Sequence, residues 1–82
     1  MINLQSYNEV LDFLDLFFQK YILDSNCLQD MQSILDGCRK EKMVAMRAID
    51  SCFMEYRRKT QDYRVPTIEE LEIWKQLFNV WQ

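Results

Sequence analysis

The sequence predicts an all-α fold, a small bundle of three to four helices, from three observations. The first is an apolar seam: Leu28, Met31, Leu35, Cys38, Ala45, Ile49, Cys52 and Tyr56 recur in alternating steps of three and four, with Lys42 in one slot. That spacing places side chains on one face of a helix. The second is punctuation. The chain has one glycine, Gly37, and one proline, Pro66. Sheets need turns and turns favour those residues, so their scarcity points to few, long elements. The third is charge layout. Residues 1–38 sum to −5, residues 39–64 to +4 and residues 65–82 to −2. Helices folded back on one another make such segments complementary.

Eighty-two residues make a single domain, 1–82, with one modest core. The predicted helices are about 6–24, 26–36, 38–62 and 67–81. The first starts at Ser6. Ser6-Tyr7-Asn8-Glu9 has the form of a capping box, with the serine on the Glu9 backbone N–H and the Glu9 side chain returning the bond. Asn8, Asp12, Asp15 and Gln19 form a narrow polar stripe, opposite Tyr7, Val10, Leu11, Leu14, Phe17, Phe18 and Tyr21. Phe13, Leu16, Ile22 and Leu23 widen the apolar arc beyond what one neighbouring helix would cover. Asp24-Ser25-Asn26 closes this helix and caps the next, making the two antiparallel neighbours.

Unbroken, the central stretch from 27 to 63 would span about 55 Å, too long for a compact domain of this size. It either breaks or projects and dimerises through a long central helix. Gly37 is the expected break, because glycine readily adopts the left-handed conformation that ends helices. Lys42, in a seam slot where an apolar residue belongs, must then be paired, reach outward or lie at a gap. Arg57-Arg58-Lys59 suits a helix C-terminus, and Lys59 to Val65 reads as a connection. Pro66 and a second capping box, Thr67 to Glu70, open the last helix. Its expected inner stripe is Leu71, Trp74, Phe78 and Trp81, supported by Leu77, with Ile73 and Val80 alongside.

Catalytic and metal chemistry find little footing. The chain has no histidine, which removes the commonest general base and metal ligand. Cys27, Cys38 and Cys52 have no metal-site spacing, and the last two fall on the seam as small core residues. Glu69 and Glu70 sit in a capping turn, and no glycine-rich loop could cradle a phosphate. A non-enzymatic protein with no cofactor, no metal and no small-molecule substrate is expected. The start lacks a basic leader, and the run Val10 to Leu23 is too short and charged to span a bilayer. A cytoplasmic protein with reduced thiols is expected. The bases Arg39, Lys40, Lys42, Arg47, Arg57, Arg58, Lys59 and Arg64 could meet phosphates. Four interleaved acids and a net charge of −3 argue against nucleic acid as the partner.

The whole chain, from Met1-Ile2-Asn3-Leu4-Gln5-Ser6-Tyr7-Asn8-Glu9 to Asn79-Val80-Trp81-Gln82, resembles the small rapid-lysis III proteins of T-even bacteriophages in length, lack of an export signal and helical composition. The resemblance implies a cytoplasmic antiholin that supports lysis inhibition by binding the cytoplasmic N-terminal segment of a phage holin. It implies no enzymatic activity and no cofactor. On this reading the candidate partner contacts are Phe13 and Leu16 on the rim of the first helix and the cations Arg39, Lys42 and Arg47. The alternatives are a small phage regulator that binds nucleic acid or transcription machinery, and a toxin-immunity inhibitor acting through the acidic first helix. Salt separates them. A nucleic-acid binder should lose affinity steeply as salt rises and should retard DNA in a gel, and an absence of both would remove that alternative.

Overall fold

Ser6 sets the first helix. Its Oγ accepts from the Glu9 N–H at 3.4 Å, and α1 (Tyr7–Tyr21) begins there. Glu9 makes no return bond, so only half of the expected capping box forms. Val10, Leu11, Leu14, Phe17, Phe18 and Tyr21 are buried. The helix ends three residues before the expected boundary. Ile22 turns extended and stays buried, and the next N–H, that of Leu23, donates to Tyr56 Oη at 3.2 Å. Asp24 caps α2 (Ser25–Glu41) by accepting from the Cys27 N–H at 2.9 Å. This bond also holds the Asp24 carboxyl below its ordinary range.

The expected break at Gly37 does not occur. α2 runs through it, and a Cβ added there would meet no heavy atom within 4 Å. A helical glycine costs about 1 kcal/mol relative to alanine. Burial of Leu35 and Cys38 on either side is worth more. The helix stops four residues later, at Glu41. Lys42 adopts the left-handed conformation (φ 55°, ψ 45°), and the Met43 N–H reaches back to Cys38 O at 3.1 Å. This is the six-to-one bond of a Schellman ending, with lysine at the position glycine usually takes. Of the three roles open to Lys42, it therefore has the last, an exposed residue at a gap. The cause lies just beyond. Val44 and Met46 are both fully buried, so the chain must turn inward here. The boundaries 26–36 and 38–62 are corrected to Ser25–Glu41 and α3 (Met46–Thr60). With the stretch folded at 42–45, there is no long rod through which two chains could pair.

The seam survives on both sides of the fold. Met31, Leu35, Cys38, Ile49 and Tyr56 are buried, and Leu28, Ala45 and Cys52 half-buried. Met46 and Phe53 join them, because the gap resets the register of α3. In α4 (Ile68–Val80) the capping box between Thr67 and Glu70 is complete, at 3.1 and 2.8 Å. Its inner stripe is rotated from expectation. Leu77 is fully buried, Ile73, Trp74, Phe78 and Trp81 are half-buried, and Leu71 is exposed. Trp81 Nε1 donates to Leu4 O at 2.7 Å, tying the extended segment before α1 to the far end of α4.

The computed structural model describes residues 2–81, with a radius of gyration of 12.0 Å. No described helix is long and apolar enough to cross a membrane. Phe17 is the point at which α1, α3 and α4 meet. Its ring centroid lies 5.3 Å from Phe18, 4.7 Å from Tyr21, 5.7 Å from Phe53 and 5.3 Å from Trp74.

Two substitutions check the position of the fold-back. Gly37→Ala should raise stability by about 0.5–1 kcal/mol, because the site is helical and open. Lys42→Gly should raise it by up to about 1 kcal/mol, by relieving the left-handed backbone. Urea unfolding midpoints measure both. A loss of stability in Gly37→Ala would place the break back at residue 37.

Candidate functional site

The five residues singled out from the sequence occupy different settings. Phe13 is half-buried, 6.1 Å from Phe17, while Leu16, 68% exposed, points away from the core. Arg39 is an internal strut: Nη2 donates to Asp12 Oδ1 at 2.6 Å and Nη1 to Asn8 Oδ1 at 3.4 Å, joining α2 to α1. It also lines a polar hollow with Asp15, Gln32 and Asp36. Lys42 and Arg47 are exposed at the α2–α3 corner. Much of the basic stretch is engaged internally. Arg58 pairs with Glu55, Arg64 with Asp62, and Arg57 donates to the Asp62 and Arg64 carbonyls at 3.2 and 3.1 Å.

An apolar opening beside the core lies between α3 and α4. Phe17, Phe53 and Trp74 form its floor, Pro66 closes one end, and Met54 and Leu71 stand on its two edges, enclosing about 480 Å³ of space open to solvent. Its origin is geometric. α4 docks by Trp74 and Leu77 and is held at its first turn by Glu70, so its outer half stands off from α3. The α4 rotation that turns Glu70 inward carries Leu71 out, leaving it 45% exposed, across the cleft from Met54 at 52%. Neither edge residue follows from the seam. The signal in the sequence is Met54 itself, an apolar side chain on what is otherwise the solvated side of α3.

The three charged residues that line the cleft, Asp50, Arg57 and Glu70, are each hydrogen-bonded within the chain. Asp50 accepts from Trp74 Nε1 at 3.3 Å. Glu70 accepts from Tyr21 Oη at 2.6 Å, Lys20 Nζ at 3.4 Å and the Thr67 N–H at 2.8 Å. Burial pushes the Glu70 carboxyl up, but these bonds together outweigh it and hold it below its ordinary value. A polar clasp secures the adjoining end of the bundle. Arg64 donates to Tyr21 O at 2.7 Å and to both Asp62 oxygens at 2.8 Å, and Tyr56 Oη donates to Asp62 Oδ2 at 2.6 Å. The Arg64 guanidinium, and after it the Tyr56 hydroxyl, hold the Asp62 carboxyl far below its usual range. The clasp joins the ends of α1 and α3 to the 61–67 connection and fixes where α4 starts. The cleft it leaves open can receive apolar side chains and offers no free acid–base pair for chemistry.

Comparison with protein-family models, curated proteins and solved structures finds no match.

The clasp has an acid signature. Asp62 has a lowered pKa in the folded state, so its contribution is fully present above the unfolded value, near 3.9, and is lost as pH falls toward the folded value. Asp62→Asn should lower stability at neutral pH and flatten the fall in stability below about pH 4. Thermal unfolding followed across that range checks it, and an unchanged acid slope would show that Asp62 is not coupled to folding.

Proposed function

We propose that this chain is a non-enzymatic protein-binding module, and that its partner is the cytoplasmic N-terminal segment of a phage holin, which it restrains as an antiholin. The observation that carries the reading is the α3–α4 cleft, an apolar recess with aromatic floor and exposed apolar edges. Such a recess is what a groove for an amphipathic helix presents. Aromatic pockets of this kind are where binding energy concentrates in protein interfaces. Whole-chain resemblance to the rapid-lysis III proteins supplies the identity of the partner. An antiholin needs only to bind the unassembled holin more tightly than the assembled one, and the equilibrium follows. Modest affinity suffices where both partners concentrate at the inner face of the membrane.

Co-purification tests the reading. The full chain should retain a soluble N-terminal holin segment, and Leu71→Asp with Met54→Asp should lower affinity by roughly tenfold or more, since both edges lose apolar contact. Both positions are exposed, so the fold should be retained in the doubly substituted chain, as circular dichroism would show. No retention of the segment at high micromolar concentration would overturn the proposal.

A further inference from the structure

We infer that the α3–α4 cleft takes an amphipathic helix whose apolar face is flanked by carboxylates, with Arg47 and Lys75 as their counter-charges. This rests on the reading that the chain acts by binding protein, and it specifies the chemistry of the bound segment. The apolar part follows from the lining, since Phe17, Phe53, Trp74, Met54 and Leu71 present mainly carbon. The charge follows from what is left unpaired. The two acids at the cleft, Asp50 and Glu70, already accept hydrogen bonds from Trp74 and from Tyr21, Lys20 and Thr67. Arg47 and Lys75 are exposed and take part in no ion pair among the described residues.

Their positions on the helices bring these cations to the cleft. Arg47 lies seven residues before Met54 and Lys75 four after Leu71, so each continues the stripe that forms one edge. The Trp74–Asp50 hydrogen bond sets residues 50 and 74 level across the cleft. Arg47 and Lys75 therefore flank the same end of it. A helix lying in the cleft with acidic residues beside its apolar face would meet both, whereas a basic one would meet like charge. Charge matching of this kind decides which partner is accepted more than how tightly it is held.

The test uses the full chain and two synthetic helical peptides with one shared leucine–phenylalanine face, one flanked by glutamate and the other by lysine, with binding read by fluorescence anisotropy. The acidic peptide should bind roughly tenfold more tightly or better, a difference of about 1.4 kcal/mol. The double variant Arg47→Glu, Lys75→Glu should reverse the preference, and Leu71→Asp should weaken both peptides. Equal binding of the two peptides, or a preference that the charge reversal leaves intact, would overturn the inference. So would a wild-type dimer that Leu71→Asp converts to monomer, because the cleft would then be filled by a second copy. If the acidic peptide binds as expected and the holin segment does not, the antiholin reading fails and this one stands. If the holin segment is retained and Leu71→Asp weakens it, but the two peptides bind equally, the antiholin reading stands and this inference fails alone.

Discussion

The ring of Phe17 is the contact on which the rest of the architecture depends. α1 and α2 hold together through aliphatic packing and the Arg39–Asp12 strut, and α2 and α3 through the two halves of the seam. α4 has no comparable interface of its own. It is attached where Trp74 meets Phe17, Phe18 and Phe53, at centroid separations of 5.3, 5.8 and 5.8 Å. Edge-on and tilted aromatic pairs add about 0.5–1.5 kcal/mol each beyond the area they bury. A cluster of them can hold a helix that otherwise buries only Leu77 completely.

The same economy of contact produces the cleft. A helix fixed by one aromatic cluster, one leucine and a capped first turn cannot also close along its outer edge. The charged groups near the opening reinforce this arrangement. Glu70 joins α4 to α1 through Tyr21 and Lys20, and the Arg64–Asp62 pair anchors the connection leading into α4. These bonds use the polar groups nearest the recess and leave its surface to carbon. The open cleft and a structural restraint are thus two consequences of how residues 56–74 are tied to the end of α1.

Much of the fold is legible in the residues. The seam identifies the inner faces of α2 and α3, Asp24 and Thr67 cap the helices they precede, and the polar stripe of α1 faces away from its buried side. The misplacements have particular causes. Gly37 has the chemistry of a helix end, but its exposed position and buried neighbours let the helix continue. Lys42 has little preference for a left-handed backbone, and it adopts one because Val44 and Met46 are drawn into the core two and four residues later. Leu71 and Leu77 compete for the inside of α4, and the bonds to Glu70 settle the rotation in favour of Leu77.

Composition, period and capping residues by themselves determined that this chain is helical, that it forms three to four helices and which face of most of them is buried, because those properties depend on neighbours within a turn or two. Where the central stretch folds back, how far α4 is turned and which charges remain unpaired were decided only in three dimensions. Each depends on side chains from distant segments, such as Tyr21 with Glu70, Tyr56 with Asp62 and Phe17 with Trp74, and no local preference encodes their meeting. The cleft belongs wholly to that second class, as the space left between helices whose separation is set elsewhere.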